Sequence, residues 1–253
     1  MFLICLDFFN WWKNFIIALI SIIKKDKTIE KLSNDIKEIF IETFILFFTN
    51  KIFVITSKIP IQPYYKSNIL KEAVFLKMNF ETIQNEVKNI YKDFKIIDND
   101  LFFKNLDKSK SDWTRLYLKW FNKIDSNATN ICPKTTNIIK TMPNIQTAMI
   151  SVLKPNAKIE PHYGVYRGCI RLHMGLITPN SNNCFINLDG KSYSWRNGEV
   201  ILLDDSYLHY VENNTNEYRV ILLCDIIRPM NFVGNQINNF IINILSNITQ
   251  REN

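Results

Sequence analysis

The chain has 253 residues, 47% apolar and 22% charged, which is ample material for a buried core and enough for one large domain or two small ones. That composition excludes a disordered or collagen-like chain, and 6 glycines and 8 prolines against 18 phenylalanines leave little for flexible linker. The net charge of +7 suits an anionic partner, yet the lysines are dispersed as in Lys24-Lys25-Asp26-Lys27 and no zinc-finger or RNA-binding signature accompanies them, so no nucleic-acid partner is expected.

Residues 2–23 are mostly apolar, but Asp7, Asn10 and Lys13 interrupt them, and the longest clean run, 15–23, falls short of the roughly 20 residues a bilayer span needs. Trp11 and Trp12 lie beside Lys13, and Lys24, Lys25 and Lys27 follow the run, the pattern of an interfacial helix or weak signal-anchor with its basic flank in the cytoplasm. No small-residue cleavage site follows, so a removed signal peptide is not expected. A second apolar stretch, 39–55, is broken by Glu42, Asn50 and Lys51. Residues 1–58 are therefore expected to be an apolar, amphipathic helical segment that associates with a membrane.

Pro60 and Pro63 mark a turn-rich joint, after which 69–91 reads as one helix, 112–120 as a strand and 132–142 as a helix entered through Pro133. From residue 147 short apolar segments recur at 147–153, 169–177, 184–188, 199–203, 207–211 and 218–227. Their separators, including Pro155-Asn156, Asp189-Gly190 and Asn213-Asn214, carry turn chemistry. The spacing predicts a mainly β fold, a double-stranded β-helix or jelly roll with flanking α-helices, over residues 59–230. Residues 231–253 are expected to form a closing amphipathic helix. The five cysteines have no CxxC spacing and mostly lie in apolar runs, so they are expected to be reduced and structural.

All three histidines of the chain, His162, His173 and His209, fall in the strand-rich part, as do five of its six glycines. Arg171 and His173 are two apart on a predicted strand and so leave the same face of the sheet. An unpaired buried guanidinium is expensive, so that face should line a polar cavity. His162 and His209 are expected on opposite sides of the strand set, where loops meet a barrel mouth, with Arg219 on the following strand. One histidine in a β-rich core is more often a hydrogen-bonded packing residue. Three in one predicted barrel, two of them accompanied by arginines, point to a site, and two imidazoles with open positions suit ferrous iron.

The arrangement Ser151, His162, Arg171-x-His173, Asp204-Asp205-Ser206, His209 and Arg219 resembles the aspartyl/asparaginyl β-hydroxylase family of iron(II)- and 2-oxoglutarate-dependent dioxygenases. Further residues are similar to its lipid A 2-hydroxylase branch: Gln62-Pro63-Tyr64, Trp113-x-Arg115-x-Tyr117-Leu118-Lys119-Trp120, Cys132-Pro133-Lys134, Tyr193-Ser194-Trp195-Arg196-x-Gly198 and Arg228-Pro229-Met230. The resemblance implies an enzyme, with His162 and His209 as Fe(II) ligands and dioxygen as oxidant. It implies Arg219 with Ser151 on the distal carboxylate of 2-oxoglutarate, and Arg171 with His173 at its chelating end. It also implies a lipid acyl chain as substrate at the cytoplasmic face of the inner membrane. The alternatives are a peptidyl Asp or Asn substrate, or a non-catalytic jelly-roll binding protein. One departure stands out: the common iron triad carries a carboxylate two residues after the first histidine, and this chain has Gly164 there. Asp204 and Asp205 are the nearest acidic candidates for a supporting role.

Overall fold

The computed structural model describes residues 46–96 and 112–248. The chain divides into two compact units, Met1–Thr56 and Ser57–Asn253. In the first, residues 46–56 are helical (α1); the expected interfacial helix at 2–23 and the start of the 39–55 stretch lie outside the described residues. Among the described residues no helix is long and apolar enough to cross a membrane.

The second unit is built on two antiparallel sheets. Its strands are β1 (Tyr64–Tyr65), β2 (Trp113–Trp120), β3 (Lys123–Ile124), β4 (Ile145–Leu153), β5 (Lys158–His162), β6 (Cys169–Ile177), β7 (Cys184–Leu188), β8 (Lys191–Ser194), β9 (Val200–Leu203), β10 (His209–Asn213) and β11 (Arg219–Ile227). Seven form the larger sheet, in the order β1-β9-β6-β11-β4-β2-β3, and four the smaller, β5-β10-β7-β8. The helices are α2 (Lys71–Met78), α3 (Phe80–Ile96), α4 (Ser126–Ile131), α5 (Pro133–Lys140) and α6 (Phe232–Ile248). This is the double-stranded β-helix expected from the strand spacing, with α2–α5 on the outer face of the larger sheet.

Local chemistry explains the joints. Asp189 and Gly190, at φ +51° and +79°, make the two-residue turn of the β7–β8 hairpin, whose right-handed twist asks for positive φ at both positions. Asp125 caps α4 by accepting from the Ala128 amide at 2.7 Å. Pro133 opens α5, and the Glu86 carboxylate from α3 takes up the free Lys134 and Thr135 amides at 2.8 and 2.7 Å. The single helix expected over 69–91 is two helices. Asn79 ends α2 by donating its side-chain amide to the Phe75 carbonyl at 2.9 Å, a local bond that competes with continuation of the helix.

The pleat of β4, β6 and β11 sorts the core. On β11, Val220, Leu222, Cys224 and Ile226 face the helices, in one apolar cluster with Ile170, Leu172 and Met174 of β6 and Ala148 and Ile150 of β4. The alternate residues Arg219, Ile221, Leu223 and Asp225 face the smaller sheet, as do Arg171 and His173 on β6 and Ser151 on β4. Both faces of these strands are buried, so their polar residues have one destination, the space between the sheets. The cysteines among the described residues, Cys132, Cys169, Cys184 and Cys224, are free thiols.

A buried ion pair ties the strand ends together. Arg228 and Asp204 side chains are both 0% exposed and in contact at 2.5 Å, and the guanidinium also donates to the Arg167 carbonyl and the Tyr65 hydroxyl. Asp204 in turn accepts from the Ser206 amide and hydroxyl at 3.1 and 2.6 Å, which fixes the turn before β10. Asp204→Asn is expected to leave that guanidinium buried without its counter-charge and to destabilise the domain by about 3–5 kcal/mol, measured by urea unfolding. A change under about 1 kcal/mol would mean that the pair is not holding the turn.

Candidate active site

His162 is the last residue of β5 and His209 the first of β10, and the two are direct cross-strand partners. Their ring centroids lie 4.1 Å apart. They are thus neighbours in register, not residues from opposite sides of the strand set. Each ring is held by a backbone carbonyl two residues earlier: His162 Nδ1 is 2.8 Å from Glu160 O, and His209 Nδ1 is 2.9 Å from Tyr207 O. A proton shared with a carbonyl belongs on Nδ1, so both Nε2 atoms are left as lone-pair donors. His209 is 5% exposed, and its burial, with the neighbouring His162 and Arg171, lowers its pKa to about 4, so the ring is neutral at physiological pH. His162 lies open to solvent.

Deeper between the sheets sit two groups with unused donors. Arg219 is 2% exposed; its Nε and Nη2 have no hydrogen-bond partner, and its guanidinium carbon lies 4.8 Å from the centre of the Trp195 ring. Burial lowers its pKa to about 10, which still leaves it charged. His173 is 5% exposed and neither ring nitrogen has a partner. Burial, then the charges of Arg171 and Arg219, depress its pKa well below the usual value and keep it neutral. The Ser151 hydroxyl accepts from Trp113 Nε1 at 2.8 Å, which turns it into the same space. Buried donors are almost always paired, so a charged guanidinium and an imidazole left open on one cavity mark the place of an anionic ligand.

Arg171 is differently engaged. Its Nε and Nη2 grip the Asp225 carboxylate at 2.8 and 3.1 Å, and its Nη1 meets Asp205 Oδ2 at 2.8 Å. Burial works against the charge, and the two carboxylates more than restore it. Burial, with Asp225 and Asp204 nearby, lifts the Asp205 carboxyl to about 6 although Arg171 opposes the shift. Asp205 also stands where a side chain at position 164 would go: a Cβ on Gly164 would lie 2.5 Å from its Cγ. Asp225 is the residue that sequence reasoning missed; the available signal was that it is the only acid in the apolar run of β11.

Ser151, His162, Arg171, His173, His209 and Arg219 all line one cavity, closed by Trp113, Ile186, Leu203 and Val211. Its volume is about 40 Å³, smaller than a five-carbon dicarboxylate, and it is open on the side of the exposed His162. A larger concavity, about 820 Å³, lies between α2 and the α5–β4 connection; Ile69, Val74, Phe75, Met78, Met142 and Pro143 line it beside Asn68, Lys71, Glu72 and Thr141, with no imidazole or thiol. We place the chemistry in the small cavity because the convergent polar groups are there. Among the described residues, no three or more of His, Cys, Asp and Glu are spaced to hold a metal ion, so the candidate donor set is the imidazole pair.

Residues 77–229 match the model of the aspartyl/asparaginyl beta-hydroxylase family. The chain belongs to that family. A curated relative from Rhizobium tropici, an ornithine lipid ester-linked acyl 2-hydroxylase, is 28% identical over 178 residues, 68% of this chain and 57% of that protein. The aspartate beta-hydroxylase domain-containing protein 2 of Xenopus tropicalis is 33% identical over 68% of this chain and 48% of its own length. Human aspartyl/asparaginyl beta-hydroxylase is 27% identical over 48% of this chain and 17% of its own length. The chain therefore spans about half the length of the first two relatives.

Proposed function

We propose that this hydroxylase-family chain is an Fe(II)- and 2-oxoglutarate-dependent dioxygenase that hydroxylates an acyl chain of a lipid, lipid A-like, at the cytoplasmic face of a membrane. The observation that carries the reading is the pair of ligand-seeking groups on one cavity: two Nε2 lone pairs from His162 and His209, and the unpartnered buried donors of Arg219 and His173. They fit the two components in kind, a neutral imidazole pair for ferrous iron and a forked cation for a dicarboxylate.

In this reading His162 and His209 hold the metal, and Arg219 with the Ser151 hydroxyl binds the distal carboxylate of 2-oxoglutarate. His173 and Arg171 attend the other end, Arg171 oriented by Asp205 and Asp225. When bound, iron and 2-oxoglutarate together activate dioxygen, so that the co-substrate leaves as succinate and carbon dioxide while a C–H bond of the substrate becomes C–OH. Ile186, Leu203, Val211 and Trp195 keep bulk water from the reacting groups. An acyl substrate is favoured over a peptidyl carboxylate because the two cations among the cavity residues are both committed, Arg171 to Asp205, Asp225 and the co-substrate and Arg219 to the distal carboxylate, which leaves none for a carboxylate on the substrate. The Rhizobium tropici relative, an acyl-lipid 2-hydroxylase by name, supports the same choice. Membrane attachment through residues 1–58 completes the proposal.

The test is anaerobic titration with Fe(II) and 2-oxoglutarate, followed by admission of air. A weak visible metal-to-ligand band and then succinate are expected, with mass spectrometry of lipids from cells with and without the gene showing a gain of one oxygen. His209→Ala is expected to remove the band and lower succinate formation at least about a thousandfold, since one imidazole cannot hold the metal. Folded wild-type protein giving neither band nor succinate would leave a non-catalytic binding protein; oxygen gained on an Asp or Asn side chain would make it a peptide hydroxylase.

A further inference from the structure

The barrel is chemically polarised along its axis. At one end β5 finishes at His162, β10 begins at His209, and β6 begins at Cys169 beside the end of β11 at Ile227, so this end is the mouth of the candidate active site. α6 lies across it. Its Asn238 amide donates to the Gly168 carbonyl at 2.8 Å and its carboxamide oxygen accepts from the Tyr166 hydroxyl, both on the loop from His162 to β6. Its Ser246 hydroxyl donates to the Phe121 carbonyl at 3.1 Å, at the β2–β3 turn on the same end.

Gly234, Asn238, Ile241 and Ile242 are the buried side of α6. The opposite side carries Phe232, Val233, Phe240 and Ile244, exposed by 75, 55, 66 and 41%, with only uncharged amides between them. The 17-residue helix holds no Asp, Glu, Lys or Arg. Val165 and Leu208, on the loops that deliver the two histidines, add exposures of 57 and 41% at the same end. The far end is the reverse: its turns, 154–157, 178–183, 195–199 and 214–218, hold seven exposed asparagines and no exposed large apolar side chain.

We infer that the mouth end of the barrel, through the outer face of α6 and the tips of the two histidine loops, seats on a lipid bilayer and receives its acyl substrate from the membrane plane. The inference rests on the acyl-lipid reading of the site and adds the surface that delivers the substrate. A helix whose outer face carries large apolar side chains with amides among them and no charge suits the boundary between headgroups and acyl chains. The continuity of that face with the mouth selects a bilayer over a second copy of the chain, because a copy seated there would cover the entrance. The asparagine-rich far end keeps the protein in one orientation, with Arg219 at the depth of the barrel and the imidazole pair toward the lipid.

The experiment uses the full chain and vesicles of phosphatidylcholine and phosphatidylglycerol, 4:1, with and without bromine on the acyl chains. In Phe240→Trp, the fluorescence added over wild type is expected to shift to the blue and to lose more than half its intensity on brominated vesicles, while Asn214→Trp at the far end is unquenched. Phe240→Asp/Ile244→Asp is expected to turn over detergent-dispersed lipid at the wild-type rate and vesicle lipid at least tenfold more slowly. Quenching at 240 without turnover in either format would uphold the surface and fail the acyl-lipid reading. No quenching at 240, equal quenching at both positions, or dimerisation that Phe240→Asp abolishes would overturn the inference.

Discussion

Arg219→Met is expected to make the ligand-free protein more stable and to remove co-substrate binding in the same step. Arg219 is 2% exposed, with Nε and Nη2 unpartnered and only the Trp195 face against its charge. Each buried donor left unpaired costs about 1–3 kcal/mol, and replacing buried ionic groups with an apolar side chain of similar volume is commonly neutral or stabilising by about 1–4 kcal/mol. For a domain of this size each kcal/mol moves the thermal midpoint by about 2–4 °C. The same substitution deletes the forked cation proposed for the distal carboxylate, so the requirement for 2-oxoglutarate should rise at least about a hundredfold, whereas Arg219→Lys, a point charge, should fall between. In wild type, 2-oxoglutarate at a hundred times its dissociation constant should add about 2.7 kcal/mol of stability, and the same concentration should add no more than about 0.4 kcal/mol to Arg219→Met. Differential scanning calorimetry with and without 2-oxoglutarate reads all three. A variant that melts lower and still responds to 2-oxoglutarate would return Arg219 to an ordinary packing role.

How much of this was legible in the sequence depends on where each residue sits in the pleat. Arg171-x-His173 inside an apolar strand announces a polar cavity, and the structure places both on its wall, because a strand buried on both faces leaves its charged residues nowhere else to go. The His162–His209 pairing was not legible. β5, Lys-Ile-Glu-Pro-His, is the edge of the smaller sheet and mostly exposed, and its proline is tolerated there only because an edge strand has amides to spare. Read as sequence it is a loop, so its partner strand and the register that sets two imidazoles side by side stay hidden. Asp225 was hidden for a related reason: its role comes from lying opposite Arg171 across two strands, and strand pairing over 54 residues is not written in local pattern.

The second large effect is expected at Gly164. No unusual backbone angle demands glycine there; the constraint is room, since a Cβ would lie 2.5 Å from the Asp205 carboxyl carbon and the Gly164 amide is already bonded to the Asp205 carbonyl at 2.8 Å. Gly164→Ala must therefore push the Asp205 side chain off Arg171, combining overpacking, about 1–3 kcal/mol, with disruption of a mostly buried charge pair. A loss of about 3 kcal/mol is expected. Gly164→Asp should be worse, because it crowds a second carboxylate against Asp205 and Asp225 with one guanidinium to share. The two positions compete for one place, so Gly164→Asp/Asp205→Gly should recover stability to within about 1 kcal/mol of wild type, a coupling far outside the additivity of independent sites. It would also carry the acid on the residue two after His162, and Fe(II) binding should tighten at least about tenfold. Urea unfolding of the single and double variants with anaerobic Fe(II) titration decides it. If Gly164→Ala is as stable as wild type, or the double variant is no better than the sum of its parts, Asp205 does not occupy the place of the missing side chain, and the two-histidine site is supported by another group.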